Sequence, residues 1–253
     1  MGHWPVGVVM ASQTFDENVR VHIGSHVQAP PDWINFDASP TLRLQRLPLV
    51  GGFLHRLSGM PDRFPDAVRY GDITKGLPFE DGSVSAVYAS HVLEHLSFED
   101  FYAALEETRR ILRPGGVFRL IVPDLAGRAR RYLAAHEKGD AAAAERFMRE
   151  TLLGRVSRPK SLKARAKALF GNEVHLWMWD EPSMQAALTA VGFADVRRCA
   201  IGDAANPAFG SVERHGRFFD HDLDDLPECA MECRKASIAD EARPRTPAHA
   251  AAA

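Results

Sequence analysis

The feature that most constrains this chain is the stretch from residue 70 to residue 124, where two apolar segments flank an amphipathic one. Residues 84–90 and 117–122 are rich in branched and aromatic side chains, which is typical of strands buried on both faces of a parallel sheet. Between them, apolar residues recur at helical spacing and form one stripe: Phe98, Phe101, Tyr102, Leu105 and Leu112. A strand, a helix and a strand joined by short links form a right-handed βαβ unit, so the stretch predicts an α/β fold.

Both ends of this helix carry sequence signals. Ser97 and Asp100 form a variant of the capping box, with Asp in place of Glu, and predict that the helix begins near Phe98. The run RPGG at residues 113–116 is expected to end the helix and turn the chain, because proline lacks an amide hydrogen and glycine accepts turn conformations.

Three more strands are predicted upstream, at residues 18–23, 33–37 and 68–71. Pro30 and Pro31 exclude a regular helix between the first two of these strands, because proline disrupts helical hydrogen bonding. The connection between these two strands is therefore expected to be short.

The flanking segments suggest additional helices. Residues 40–64 are apolar and basic and predict short helices at about 42–47 and 52–57; a lipid- or partner-facing surface is the alternative to a plain sheet cover. Residues 128–153 predict a long helical stretch. The basic run at residues 155–167 could bind a phosphate group, and the alternative is a solvated helix face.

The last third of the chain predicts a helix and two strands. The helix has Pro182 in its first turn and ends at Gly192. Strands are expected at residues 196–201 and 229–234, joined by a long link at residues 202–227.

Several short motifs resemble, in their order and spacing, those of class I S-adenosylmethionine-dependent methyltransferases, and in particular the methyltransferase type 11 group. The motifs are Asp72-Ile73, Leu77-Pro78-Phe79, Asp81-Gly82-Ser83, the run from Ser90 to His95, and Leu112-Arg113-Pro114-Gly115-Gly116. With residues 33–37 they look like the branch associated with glycan and cell-surface polysaccharide synthesis. The resemblance covers roughly residues 19–235.

The resemblance implies one Rossmann-like α/β domain at residues 18–236, with a seven-stranded, mostly parallel sheet and an antiparallel last strand. It also implies a helical lid insertion at about residues 128–171, placed over the acceptor. Residues 1–17 are expected to form an N-terminal extension, and the Ala/Pro-rich residues 237–253 a disordered tail.

The resemblance further implies S-adenosyl-L-methionine as the cofactor and assigns residues to it at the ends of the first two strands. Gly24 would let the backbone approach the methionine part, because glycine has no side chain; a plain strand-to-loop turn is the alternative. Asp37 would accept hydrogen bonds from the ribose hydroxyls, or else cap the next helix.

The third and fourth strands supply the other implied cofactor residues. The carboxylate of Asp72 would accept the exocyclic amine of adenine, and Ile73 would pack on the ring. Ser90 and His91 would line the cofactor with backbone atoms as much as with side chains.

Three side chains are expected on the acceptor side, where a hydroxyl acceptor would need a general base. They are His175, His95 and Asp124, all predicted beyond the carboxyl ends of strands. His95 could instead orient the following helix, and His175 could be a buried histidine held by Trp177 and Trp179. The resemblance thus implies methyl transfer to a small molecule or glycan, with oxygen as the acceptor atom.

Other classes of function compete with this hypothesis. His91-Val92-Leu93-Glu94-His95 matches the inverted zincin motif, but the helix is predicted to begin after it, so no metal site is expected there. A nicotinamide-binding protein would carry G-x-G-x-x-G after its first strand, which this chain lacks. A non-catalytic protein of the same fold remains the alternative, because the loop after the first strand keeps a single glycine, Gly24.

Composition excludes several partners. The formal net charge of −2 gives no general attraction to nucleic acid, and no apolar run approaches the roughly 20 residues that span a bilayer, so no integral membrane segment is expected. The start of the chain lacks the basic region of a signal peptide. The three cysteines do not make a disulfide framework, and a cytoplasmic protein is expected; the oligomeric state stays open.

Overall fold

The computed structural model describes residues 18–52, 63–158, 174–200, 202–214, 226–237 and 240. Its centre is one seven-stranded sheet in the order β3-β2-β1-β4-β5-β7-β6. The strands are β1 (Arg20–Ile23), β2 (Ile34–Asp37), β3 (Val68–Tyr70), β4 (Val84–Ser90), β5 (Leu112–Pro123), β6 (Phe193–Arg198) and β7 (Glu228–Lys235).

The first five strands are parallel to one another, whereas β7 runs antiparallel to both β5 and β6. This arrangement confirms the predicted fold class. The strand order reverses at β1, which pairs with β2 on one side and with β4 on the other. At such a switch point the neighbouring loops diverge, and a crevice opens outside the carboxyl ends of the strands.

Helices cover the sheet, and two large apolar clusters fill the layers. The α-helices are α1 (Pro40–Gln45), α2 (Phe98–Ile111), α3 (Leu125–Glu137), α4 (Ala143–Glu150), α5 (Glu181–Val191) and α6 (Phe209–Arg214), with 3₁₀ turns at Ile73–Lys75 and Leu93–His95. The larger cluster joins α2 and α5 to the sheet through residues such as Leu105 and Leu188. A second cluster places Phe209 of α6 against Tyr88 and Trp33. No helix among the described residues has the length and apolar character needed to cross a bilayer.

The helix ends that carry capping signals in the sequence, those of α2 and α5, lie where these signals predict. The Ser97 hydroxyl accepts a hydrogen bond from the Asp100 amide at 3.1 Å, and α2 begins at Phe98 as predicted. Helix α5 has Pro182 in its first turn and ends at Gly192, which adopts φ = 98°. No helix separates β1 from β2, as the two prolines predicted.

Other boundaries differ from the prediction. The long helical stretch predicted at residues 128–153 is wrong, because α3 and α4 are separate helices and Gly139 between them has φ = 76°. Strand β6 begins three residues earlier than predicted, because the chain extends directly from the Gly192 cap. The predicted link at residues 202–227 contains α6.

Some predictions fall outside the described residues. They concern the extension at residues 1–17, most of the short helix at 52–57, the part of the basic run from residue 159 to 167, and the tail from residue 241 onward. The lid insertion at about residues 128–171 stays a prediction, although α3 and α4 lie in its first half.

Gly24 is one position where the backbone requires glycine. It has φ = 68°, and a Cβ atom there would lie 2.1 Å from Cγ2 of Val92. Left-handed backbone costs an ordinary residue about 1–2 kcal/mol, and an added methyl group in a packed site costs about 1–3 kcal/mol. Gly24→Ala is therefore expected to lower the free energy of unfolding by about 2–5 kcal/mol, as measured by urea denaturation.

Gly115→Ala is the matched control for this prediction. Gly115 has φ = 77°, but a Cβ atom there would meet nothing within 4 Å, so only the backbone cost of about 1–2 kcal/mol is expected. Equal losses in the two variants would contradict a role for the Val92 contact.

Candidate functional site

The candidate site lies at the carboxyl edge of the parallel strands. Gly24 follows β1, Asp37 ends β2, Asp72 follows β3 and Ser90 ends β4. Because these four strands are parallel neighbours, the four positions share one edge of the sheet. The structure therefore brings the predicted cofactor residues to one side of the fold.

Asp37 ties two loops together at this edge. Its side chain is almost fully buried, with Oδ2 accepting a hydrogen bond from the His26 amide at 3.0 Å and Oδ1 accepting one from the Ser39 amide at 2.7 Å. Each carboxylate oxygen retains a further lone pair, which can accept another donor. Asp37 thus holds the loop after β1 and the start of α1 in place while keeping capacity for a ligand.

Ser25 was not singled out by sequence reasoning. Its amide donates to the carbonyl of Phe36 at 3.0 Å, which fixes the loop after β1. Its hydroxyl is buried and has no hydrogen-bond partner among the described residues. Buried hydroxyls are nearly always hydrogen-bonded, so this one fits a position that a ligand completes.

Asp72 caps the 3₁₀ turn that follows β3. Its Oδ1 accepts from the amide and the hydroxyl of Thr74 at 3.1 and 2.7 Å, and its Oδ2 lies 2.5 Å from Lys75 Nζ. Partial burial acts to raise the pKa of Asp72, but the hydrogen bonds from Lys75 and Thr74 outweigh it and hold the pKa below its ordinary value. The adjacent Ile73 is buried in the larger apolar cluster.

His91 lies between two carboxylates. Its backbone has φ = 52°, and its amide donates to the Ile121 carbonyl at 2.9 Å. Its Nδ1 is 3.3 Å from Glu94 Oε1 and its Nε2 is 3.5 Å from Glu228 Oε2. Burial would lower the pKa of His91, but Glu94 and Glu228 together raise it above its ordinary value.

Glu94 forms the centre of an imidazole cluster. Its side chain is fully buried, and Oε1 is 3.9 Å from Nε2 of both His95 and His175. Burial would raise the pKa of Glu94, but the imidazoles, His91 first among them, hold it below its ordinary value. The rings of His95 and His175 meet edge to face with centroids 5.0 Å apart, so two predicted acceptor-side residues lie together.

Backbone hydrogen bonds anchor the segment that carries His175 to the turn that carries Glu94. The Glu94 carbonyl accepts from the amides of Leu176 and Trp177 at 2.8 and 3.2 Å. His95 Nδ1 lies 3.1 Å from the Val174 carbonyl. Burial lowers the pKa of His175, so this imidazole is neutral near pH 7.

Asp124 belongs to a different ion pair. It is buried at the start of α3, and its Oδ2 lies 3.3 Å from Arg198 and 4.0 Å from Arg130. Its amide donates to the Pro227 carbonyl at 3.0 Å. The structure thus places Asp124 at the carboxyl edge of the sheet but directs its charge toward arginine.

The two tryptophans near His175 have different surroundings. Trp179 is buried and stacks on Phe101 with ring centroids 4.0 Å apart, so it belongs to the core. Trp177 is 44% exposed and packs against Phe98 with centroids 4.9 Å apart. Of the two, Trp177 is the one whose ring faces outward, where an acceptor could reach it.

Sequence reasoning missed two charged residues beside the cluster. Glu228 opens β7, and its Oε1 lies 3.2 Å from Arg128 on α3. Arg128 also donates to the Glu150 carbonyl at the end of α4. Burial raises the pKa of Glu228. No local pattern marks these residues, because only folding brings them next to His91.

Comparison with known proteins finds a family model that matches part of the chain. The sequence model described as "Methyltransferase domain" matches residues 56–120. This segment contains the turn after β3, strand β4, the Glu94 turn, α2 and most of β5. No curated protein matches the chain.

Solved structures of methyltransferases resemble the chain at low identity. The methyltransferase in complex with the Trm112 methyltransferase activator of Haloferax volcanii is 15% identical, with 87% of this chain and 83% of that chain covered and a TM-score of 0.43. A SAM-dependent methyltransferase of Archaeoglobus fulgidus is 14% identical, with 87% and 88% covered and a TM-score of 0.42. Phosphoethanolamine N-methyltransferase 2 of Haemonchus contortus is 13% identical with a TM-score of 0.43; 87% of this chain but only 49% of that chain is covered.

Proposed function

We propose that this chain methylates an oxygen atom of a small-molecule or glycan acceptor. Its strand order and its family match support a class I S-adenosylmethionine-dependent methyltransferase. The observation that supports an oxygen acceptor is the cluster in which buried Glu94 and His175 meet partly buried His95, next to the end of β4. A hydroxyl is a poor nucleophile until its proton is removed, and such a cluster can remove or hold a proton.

The residues at the carboxyl edge fit the cofactor. S-Adenosyl-L-methionine supplies an electrophilic methyl group on a positively charged sulfur. We assign Asp37 to the ribose hydroxyls, since its oxygens keep free lone pairs. The buried hydroxyl of Ser25, which lacks a partner among the described residues, and the side-chain-free Gly24 suit the methionine part.

The third and fourth strands complete this assignment. Asp72 is held ionised by its hydrogen bonds and can accept the amine of adenine, with Ile73 forming the apolar floor. Ser90 ends β4, and His91 follows it. Both lie at the part of the sheet edge next to the acceptor cluster.

On the acceptor side, His175 and His95 are the proposed bases. His175 is neutral near pH 7 because burial lowers its pKa, and a neutral imidazole can take a proton from a hydroxyl. Nδ1 of His95 faces a carbonyl, so it carries the proton and leaves Nε2 as the basic nitrogen. Asp124 is the weakest of the three candidates, because its Oδ2 is engaged in an ion pair with Arg198 at 3.3 Å.

Product analysis tests this function. The purified chain is incubated with methyl-labelled S-adenosylmethionine and a panel of sugars, phenols and amines, and products are identified by NMR. Label in an O-methyl group, formed together with S-adenosylhomocysteine, is the expected result. Label only in N-methyl groups would contradict an oxygen acceptor. Tight cofactor binding without any transfer would favour a non-catalytic protein of this fold.

Asp72→Ala tests one cofactor residue. Loss of a charge-assisted hydrogen bond of about 1–3 kcal/mol is expected to weaken S-adenosylmethionine binding about 5- to 150-fold, as measured by calorimetry. Asp66→Ala is the control, because Asp66 is an exposed residue whose ion pair is with Arg46. Unchanged affinity in a variant with native circular dichroism would refute the assignment of Asp72.

A further inference from the structure

The cluster after β4 has the composition of a metal centre. Glu94 Oε1 and one nitrogen each of His95 and His175 all lie within 4.8 Å of one another. Two imidazoles and one carboxylate are the ligands that catalytic zinc and related first-row ions use when they leave coordination positions open. The chemistry of the three groups therefore matches a divalent transition-metal ion.

The carboxylate at its centre is compensated mainly by one imidazole. Glu94 is fully buried, and neither of its side-chain oxygens has a hydrogen bond of good geometry with a described residue. A buried carboxylate is costly unless hydrogen bonds or a cation compensate its charge. The nearest side chain of potential positive charge is His91, whose Nδ1 is 3.3 Å away. A cation between Glu94 and the two other imidazoles would add to the compensation that His91 provides.

The tautomer of His95 strengthens this inference. The carbonyl of Val174 can only accept a hydrogen bond, so Nδ1 of His95, at 3.1 Å, must carry a hydrogen. In the neutral ring, Nε2 then presents a lone pair to Glu94 Oε1 at 3.9 Å, too far for a direct hydrogen bond. Two electron-pair donors that face each other across this gap favour a cation between them. A histidine held through Nδ1 by a carbonyl is also the usual outer-shell arrangement of a metal ligand.

The ligands come from two segments that are fixed to each other. Leu176 and Trp177 both donate backbone hydrogen bonds to the Glu94 carbonyl. Ligand atoms around a zinc ion lie about 3.3 Å apart, given bond lengths of about 2.0–2.1 Å. The two separations from Glu94 Oε1 are 3.9 Å, and all three ligand atoms lie within 4.8 Å of one another, so the side chains would draw closer together around a bound ion.

We propose that Glu94, His95 and His175 bind one divalent transition-metal ion, best fitted by Zn²⁺, and that the open positions of this ion receive the acceptor oxygen. The binding of the ion stands on the cluster alone, whereas its contact with the acceptor rests on the proposed function. His91 and Glu228 form the outer shell, since His91 links the two carboxylates.

The ion would activate the acceptor hydroxyl. With the ion bound, His95 and His175 act as its ligands and no longer as bases. Coordination lowers the pKa of a bound hydroxyl, so the O–H bond breaks and the proton leaves to water. The oxygen keeps the electron pair and uses it to form a bond to the methyl carbon. The methyl–sulfur bond breaks at the same time, its electron pair goes to sulfur, and the products are the methyl ether, S-adenosylhomocysteine and one proton.

Metal titration of the full chain tests the site. Chelator-treated protein is titrated with Zn²⁺ by calorimetry and with Co²⁺ by visible absorption, which reports the ligand field directly. We expect one tight ion per chain, and about 100-fold weaker binding in Glu94→Gln and His175→Asn. His136→Asn is the control, because His136 is an exposed histidine of α3, and binding is expected to stay as in the parent chain.

Two outcomes would overturn the proposal. One is that the folded parent chain binds neither Zn²⁺ nor Co²⁺ at millimolar concentration. The other is that both ions bind equally well to the parent chain and to Glu94→Gln, which would place them elsewhere. A parallel titration with S-adenosylmethionine separates this failure from that of the proposed function, since cofactor binding without metal binding would overturn the metal site alone.

Discussion

Replacing Arg119 with methionine is expected to lower the free energy of unfolding by about 3–5 kcal/mol, because it leaves the buried carboxylate of Glu213 without its cationic partner. Arg119 is fully buried in the middle of β5. Its guanidinium pairs with Glu213 of α6, with Glu232 of β7 at 3.0 Å and with Asp203 at 3.0 Å. The sheet and its covering helix are thus joined through one cation.

The loss is measured by urea denaturation. Arg197→Met is the control, since Arg197 pairs with the same Glu232 and Asp203 but its side chain is 42% exposed. A cost below about 1 kcal/mol is expected for that surface pair. Equal costs for the two variants would contradict the importance of burial at Arg119.

The second large effect is expected on turnover. Glu94→Gln keeps the side-chain volume but removes the charge that the two imidazoles face, so methyl transfer is expected to slow about 100- to 1000-fold. Since Glu94 lies on the acceptor side, the affinity for S-adenosylmethionine is expected to change less than about twofold. A large loss of turnover with almost unchanged cofactor affinity would identify an acceptor-side role for Glu94.

Steady-state kinetics with the acceptor found by product analysis, together with calorimetry, measures this separation. His136→Asn is expected to retain the turnover of the parent chain. A parallel loss of turnover and cofactor affinity in Glu94→Gln would show that the substitution disturbs the whole carboxyl edge. Turnover within about threefold of the parent would exclude Glu94 from the chemistry.

The βαβ unit at residues 70–124 was predictable because its signals are local. Apolar periodicity defines α2 and its flanking strands, and the Ser97 cap sets the first residue of the helix. The parallel order then places Gly24, Asp37 and Asp72 at one edge without further information. The break between α3 and α4 was missed, because Gly139 lies in an Ala-rich run that otherwise favours helix.

The acceptor cluster was predictable only in part. His95 and His175 were both assigned to the acceptor side from their positions after strands and before helices. Their contact depends on backbone hydrogen bonds from Leu176 and Trp177 to Glu94, which no local pattern encodes. The sequence predicts no metal site at residues 91–95, because the two histidines of this motif precede the helix and do not share it. In the structure it is His175, not His91, whose nitrogen lies within 4.8 Å of both a carboxylate oxygen of Glu94 and a nitrogen of His95.

Titration of the purified chain with S-adenosylmethionine and S-adenosylhomocysteine tests the central claim most directly, because every assigned role depends on a cofactor at the carboxyl edge. Micromolar binding of both ligands, about −8 kcal/mol, is the predicted result. Absence of binding at millimolar ligand, in the presence of Zn²⁺ and in its absence, would contradict the account.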